Sequence, residues 1–253
     1  MDREIIRDIQ TKGVHLTSLE KLDIASVPDL EQIANQAAHR LVFATSAQVD
    51  QKEASGCFAE LDPIDLMTQY PEIFRWGLDP RILNIAENCI GLPPAYLGVS
   101  FRRSFANQRQ VGTHLWHLDA EDYHVVRIIV YLNNVDLAGG AFEYIPRSHR
   151  LSYRSFKGID SIADQQMQRV IPADKWKACP GKAGTVIIAN TGQTFHHGKV
   201  SVNQERLALI YAYTSRQPKD LELAKTHCPT EKFRECLAEQ LSERELSCVY
   251  DWR

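Results

Sequence analysis

The chain has 253 residues, of which 44% are hydrophobic and 24% charged, and a formal net charge of −3. That length suits one large domain with a sizeable core, and the balance is ordinary for a globular protein. The near-neutral charge, with Lys and Arg scattered, excludes an electrostatic footprint for nucleic acid, and no apolar run approaches membrane-spanning length.

The chain begins with mixed charge, Met1-Asp2-Arg3-Glu4, and no export signal. The six cysteines include no Cys-x-x-Cys pair, so reduced thiols and a cytoplasmic location are expected. Cys228, Cys236 and Cys248 lie near His227, but their spacing fits no common zinc site, and they read as small apolar fillers of helical faces.

Residues 1–55 read as mostly helical. Pro28 opens an amphipathic helix carrying Leu30, Ile33, Ala34, Ala37, Leu41 and Val42, running to about residue 47. Residues 44–56 are polar and small, a candidate mobile loop. Asp62-Pro63 and Asp79-Pro80 each place a capping acid before a first-turn proline. The second of these helices runs from Arg81 to Ile90 and stops at Gly91. Phe74 and Trp76 are expected to pack between the helices.

From Ala95 the periodicity changes to that of strands. Tyr96–Phe101 is one, and a turn over Asn107–Gly112 leads to another over Thr113–Asp119. After an acidic loop come strands at Val125–Leu132, with Arg127, Ile129 and Tyr131 on one face, and at Ala141–Ile145. Residues 148–174 read as an irregular or partly helical insertion, suited to a lid or binding loop. Strands follow at Thr185–Ala189, Phe195–Val202 and Arg206–Tyr213, then a helix over Thr230–Leu246 with Phe233, Leu237 and Leu241 on one face. The expected fold is mainly β with flanking helices, a double-stranded β-helix (a jelly roll, cupin-like). It forms one domain over 1–253: a helical support at 1–92, the β-helix at 95–215 and a helical tail at 216–253.

Within this frame, His117-x-Asp119 carries chemistry. On a strand, residues i and i+2 share a face, so an imidazole nitrogen and a carboxylate oxygen aim at one point. Phe195-His196-His197-Gly198 offers a third ligand, from either histidine. Two histidines and one carboxylate on one side of a metal form the facial triad of non-haem iron(II) oxygenases. Arg206, ten positions after His196, enters an apolar strand where a guanidinium needs an anion. The distal carboxylate of 2-oxoglutarate meets that need.

These residues, in order with Val130-Tyr131-Leu132-Asn133-Asn134-Val135-Asp136, Gly139-Gly140-Ala141-Phe142 and Ile145-Pro146-Arg147-Ser148-His149, resemble the phytanoyl-CoA dioxygenase family over roughly residues 96–215. Gly139 stands where the family often has Asn, and Arg147 where it usually has Gly. The resemblance implies iron(II) held by His117, Asp119 and His196, with 2-oxoglutarate and O2 as cosubstrates. The gap to Arg206 and the following Gly198 match the family pattern for His196, which leaves His197 supporting or exposed. Arg206 then binds the cosubstrate, with a salt bridge to Glu205 or Glu143 as its structural alternative.

Arg127 and Tyr131 are further cosubstrate-binding candidates; for Arg127 a pairing with Asp119 or Glu121 stands equally open. His149 reads as a loop-capping residue, His114 and Trp116 as packing, and Arg102, Arg103 and Arg109 as a solvated face, with binding of an anionic substrate as their alternative. The implied reaction hydroxylates or otherwise oxidises an unactivated C–H bond of a small molecule, in secondary metabolism. Asp119 occupies the position related halogenases leave for chloride, which favours hydroxylation. The specificity loops would be 44–60, 119–124 and 150–174, and the aromatics Trp76, Tyr123, Tyr153 and Phe156 suit a mid-sized, partly apolar substrate. Neither a nucleic-acid nor a membrane partner is expected. The rival readings are a metal-dependent hydrolase using the same ligands, and a β-helix binding protein that has lost turnover.

Overall fold

The computed structural model describes residues 2–24, 27, 29–43, 56–227 and 241–252, with backbone alone at 41–43. The N-terminal part is α1 (Asp2–Lys12), β1 (Val14–Ser18), α2 (Leu19–Leu22) and α3 (Leu30–Phe43). The strand β1 corrects the mostly helical reading of this stretch. Gly13, at φ +91°, ends α1 and turns the chain onto the sheet edge, where β1 pairs with a later strand. The start of α3 at Leu30 is two residues past Pro28, and the loop expected at 44–56 lies almost wholly outside the described residues.

After β2 (Phe58–Glu60) come α4 (Pro63–Gln69), α5 (Pro71–Trp76) and α6 (Pro80–Ile90). Asp62 accepts from the amides of Ile64 and Asp65, Asp79 accepts from that of Arg81, and Gly91 closes α6 in the left-handed region. Phe74 and Trp76 are buried and reach the sheet as well as the helices, with Trp76 4.7 Å from the Tyr211 ring.

The strands β3 (Pro94–Ser104), β4 (Val126–Tyr131), β7 (Thr185–Asn190) and β9 (Arg206–Ser215) join β1 and β2 in a six-stranded antiparallel sheet, ordered β1-β7-β4-β9-β3-β2. The strands β5 (Phe142–Tyr144), β6 (Lys177–Cys179) and β8 (His196–Gly198) form a second sheet, ordered β6-β5-β8. Side chains alternate between the two faces of the large sheet. Val126, Ile128 and Val130, with Leu209, Tyr211 and Tyr213, join the helices in the main core. Ile129, Tyr131, Ile187 and Ala208 face the small sheet and pack on Phe142. The result is a jelly roll with its helices on one outer face.

Two expected strands are corrected. Thr113–Asp119 is not a ladder strand: Gly112–His114 is a 3-10 turn, and Trp116 and His117 make only single bridges, to Ile162 and His196. Likewise, 195–202 pairs only at His196–Gly198. The insertion at 148–174 holds short turns and one helix, α7 (Asp164–Gln168). At the C-terminus α8 (Leu221–Lys225) precedes α9 (Glu243–Tyr250); the expected helix over 230–246 falls mostly outside the described residues, as do Cys228, Cys236, Phe233 and Leu237.

The caps give a direct test of why these helices start where they do. Asp79→Ala should cost about 1 kcal/mol and lower Tm by roughly 2–4 °C in a thermal melt. An unchanged Tm would show that the cap contributes nothing to α6.

Candidate functional site

The approach of two chain segments makes the site. The His117 amide donates to the His196 carbonyl and the His196 amide to the His117 carbonyl, both at 3.1 Å, which holds the two rings 4.4 Å apart. Each Nδ1 sits against a backbone carbonyl, His117 at 2.8 Å from Leu115 O and His196 at 3.0 Å from Thr194 O. A carbonyl can only accept, so each Nδ1 carries a proton, and in the neutral ring the lone pair belongs to Nε2. Asp119 follows, its amide donating to Thr191 O at 3.1 Å. Its Oδ1 lies 3.7 Å from His117 Nε2 and 3.9 Å from His196 Nε2.

Ligand atoms of these three residues all lie within 4.8 Å of one another, and they can hold a metal ion. Two imidazole nitrogens and a carboxylate oxygen, converging from one side, are the donor set and geometry of a facial site. Burial and the neighbouring His117 push the His196 pKa down to about 3, which keeps its lone pair free. Burial opposes ionisation of Asp119, but Arg127, His196 and His117 outweigh it and hold the carboxyl well below its usual range.

The carboxylate is divided between two tasks. Oδ1 faces the histidines, while Oδ2 accepts from Arg127 Nε at 2.8 Å. Arg127 also donates through Nη2 to Glu121 Oε1, and His227 Nε2 lies 3.1 Å from that same oxygen. The Asp220 amide donates to Glu121 O, so the start of α8 is tied to the same network. Of the two partners weighed for Arg127, the structure shows both. Its Nε and Nη2 are committed to Asp119 and Glu121, and the guanidinium stands on the cavity wall as the partner of those two carboxylates.

The triad opens into a cavity of about 540 Å³ that Arg206 also lines. Residues 206, 208, 210 and 212 of β9 share the inner face, which carries the guanidinium inward. Arg206 is only 7% exposed; it donates to Gly140 O at 2.5 Å and to Ser104 Oγ at 3.2 Å. No carboxylate pairs with it among the described residues: Glu205 is held by Arg103, and Glu143 by His197 and Lys199. Burial pulls the Arg206 pKa down, against the Tyr131 hydroxyl beside it. A Cβ on Gly198 would lie 2.9 Å from Arg206 Nη2, so glycine there makes room for the guanidinium. Tyr131 does not reach the cavity, a correction to its expected role. It stands behind Arg206, its hydroxyl donating to Cys179 O and accepting from the Phe142 amide.

His197 points away from the triad, is fully buried, and stacks on Trp116 with centroids 3.8 Å apart. Its Nε2 meets Glu143 Oε2 at 3.0 Å and its Nδ1 meets His114 O at 2.9 Å. His114 is buried packing, as expected. Arg102 and Arg103 are paired rather than solvated, with Glu60 and Glu205. Residues 118–121 line the cavity, but 150–153 line a second one on the far side of Leu118. The sequence reading missed the wall formed by Leu223, Thr226 and His227; a tail helix carries no periodic signal for where it docks.

The family model described as phytanoyl-CoA dioxygenase matches residues 29–204. No curated protein matches the sequence. Among solved structures, the epimerase SnoN in complex with Fe3+, alpha ketoglutarate and nogalamycin RO superposes with a TM-score of 0.58 at 16% identity, over 86% of this chain and 84% of that one. HygX from Streptomyces hygroscopicus with nickel and 2-oxoglutarate bound gives 0.58 at 15%, over 84% and 87%. EctD from S. alaskensis with 2-oxoglutarate and 5-hydroxyectoine gives 0.58 at 18%, over 87% and 79%. At these identities the likeness establishes the shared fold. No helix among the described residues is long and apolar enough to cross a membrane.

The buried Glu143 has a pH signature. Burial raises its pKa, but the bond to His197 and the charges of His197 and Lys199 win and hold it below the usual carboxylate value. A depressed folded-state pKa stabilises above the unfolded value, near 4.3, and that stability is lost as pH falls through the folded value. Glu143→Gln should cost about 1–3 kcal/mol at pH 7, and denaturant melts of the two proteins should converge as pH drops below that range. A pH-independent difference would contradict this assignment.

Proposed function

The chain belongs to the phytanoyl-CoA dioxygenase family, and from that footing we propose that it is a non-haem iron(II)- and 2-oxoglutarate-dependent oxygenase. In this reading His117, Asp119 and His196 hold the iron, and Arg206 binds the distal carboxylate of 2-oxoglutarate. The observation that carries it is the pairing of a three-donor cluster with a buried guanidinium lacking a carboxylate partner, on the wall of one cavity. A hydrolase would use the three ligands but leave Arg206 without a task.

Iron(II), when bound, would supply the oxygen chemistry: reduction of O2 coupled to decarboxylation of 2-oxoglutarate to succinate and CO2, with oxidation of a substrate C–H bond. The chain's own residues supply geometry. The carbonyls of Leu115 and Thr194 fix which imidazole nitrogen faces the metal position. Arg127 takes Oδ2 of Asp119 and leaves Oδ1 to serve alone, so coordination positions stay open for cosubstrate and O2. Ile129, Phe142 and Ile210 close the inner cavity around Arg206 with apolar surface, which excludes water and strengthens its pull on a carboxylate. Asp119 occupies the position a halide would need, which supports hydroxylation over halogenation. The substrate is a small molecule of secondary metabolism; the structural neighbours hold nogalamycin RO and 5-hydroxyectoine.

Anaerobic addition of iron(II) and then 2-oxoglutarate to the metal-free protein should produce the weak visible charge-transfer band of the chelate. His117→Ala should abolish it, and Arg206→Ala should weaken it by raising the 2-oxoglutarate concentration required. Metal binding without any band would sink the 2-oxoglutarate reading. Separately, Arg127→Gln should weaken iron(II) affinity about 10–100-fold in a competition titration; wild-type affinity in that variant would remove Arg127 from the site.

A further inference from the structure

The family name points to acyl-CoA thioesters, whose coenzyme carries several phosphate charges. The outer half of the cavity is built for something else. Strands β2 and β3 set Glu60 directly opposite Arg102, and both line the cavity. Phe58 and Glu60, two residues apart, share a face, and the Arg102 guanidinium lies 3.8 Å over the Phe58 ring. Arg102 Nε and Nη2 both donate to Glu60 Oε1, at 3.0 and 2.8 Å. Glu60 Oε2 therefore meets no donor among the described residues, and Ser100, on the cavity side of β3, adds a hydroxyl to the same shelf.

The ionised groups of the wall close into neutral sets. Arg102 is matched by Glu60, and Arg127 by Glu121. With the oxygenase reading adopted, a divalent metal and Arg206 carry three positive charges, and Asp119 and the doubly charged 2-oxoglutarate carry three negative ones. No lysine lines the cavity among the described residues. Among the described residues an anionic substrate entering here meets no unmatched cation, and it meets the undonated Glu60 oxygen in a chamber partly shielded from water. A hydroxyl or ammonium group meets acceptors instead.

We propose that the substrate chamber is selective for an uncharged or cationic molecule that donates hydrogen bonds, a hydroxyl- or ammonium-bearing compound rather than an acyl-CoA, with Glu60 as the residue that sets this preference. The inference rests on the oxygenase reading, which assigns Arg206 to the cosubstrate.

The test uses ligands that share one tail and differ in charge: octylammonium, octyl glucoside, octanoate and octanoyl-CoA. Each is titrated calorimetrically, without oxygen, into the full chain saturated with iron(II) and 2-oxoglutarate. Octylammonium and octyl glucoside should bind about tenfold more tightly than octanoate and octanoyl-CoA, the discrimination expected of one partly buried carboxylate. Glu60→Gln, which releases Arg102, should bring octanoate up by a similar factor while the chelate band persists. Glu60→Asp, which keeps the charge, should preserve the wild-type order. Tighter binding of octanoate or octanoyl-CoA, affinities that ignore charge, absence of binding by all four, or an order unmoved by Glu60→Gln would each overturn the proposal. A missing chelate band in the wild type marks failure of the oxygenase reading instead, and the two results are read on separate instruments.

Discussion

The Asp119 carboxylate serves two partners at once, and the site depends on that division. Arg127 takes one oxygen, and the other faces the two imidazole nitrogens. A carboxylate this deeply placed is tolerable only when paired or metal-bound. Arg127 is itself half-buried and pairs with both Asp119 and Glu121; Glu121 in turn meets His227. Removing one member would leave an uncompensated charge in a low-dielectric interior, which costs far more than the intact network contributes. The network thus fixes a conformation in which one carboxylate oxygen alone points at the centre.

The jelly roll makes this arrangement possible through strand alternation. Every second residue of β4 and β9 faces the helices and builds the main core, while the intervening residues face the small sheet. Arg127 and Arg206 both fall on that inner set, and so an apolar framework delivers two guanidiniums to one cavity. They differ in what meets them. Arg127 arrives opposite carboxylates of its own chain; Arg206 arrives opposite a carbonyl, a serine hydroxyl and a glycine that leaves it space. In the proposed reading that difference separates a positioning residue from a ligand-binding one, although the residue type and the strand environment are alike.

The same contrast marks what the sequence made legible. The ordered motifs located the three candidate ligands and Arg206, because each is a chemically unusual residue in an apolar, strand-like setting. Helix starts at Asp62-Pro63 and Asp79-Pro80 were readable because the capping chemistry is local. Strand β1 was not, since its five residues become a strand only through pairing with β7, some 170 residues later. The segment at 113–119 reads as a strand by composition, yet its partners supply single bridges rather than a ladder. Arg127 and Tyr131 were correctly grouped on one face, but their partners are long-range. The outer wall from α8 and the Glu60–Arg102 shelf depend on tertiary docking and cross-strand register, neither of which has a local code.

The most direct measurement is an anaerobic crystal structure of the chain with iron(II) and 2-oxoglutarate. Expected is a single iron bound by Nε2 of His117, Nε2 of His196 and Oδ1 of Asp119, with Oδ2 still on Arg127 and the distal carboxylate of 2-oxoglutarate on Arg206. Iron held by both oxygens of Asp119 with Arg127 displaced, or 2-oxoglutarate lying away from Arg206, would contradict the assignment of these roles.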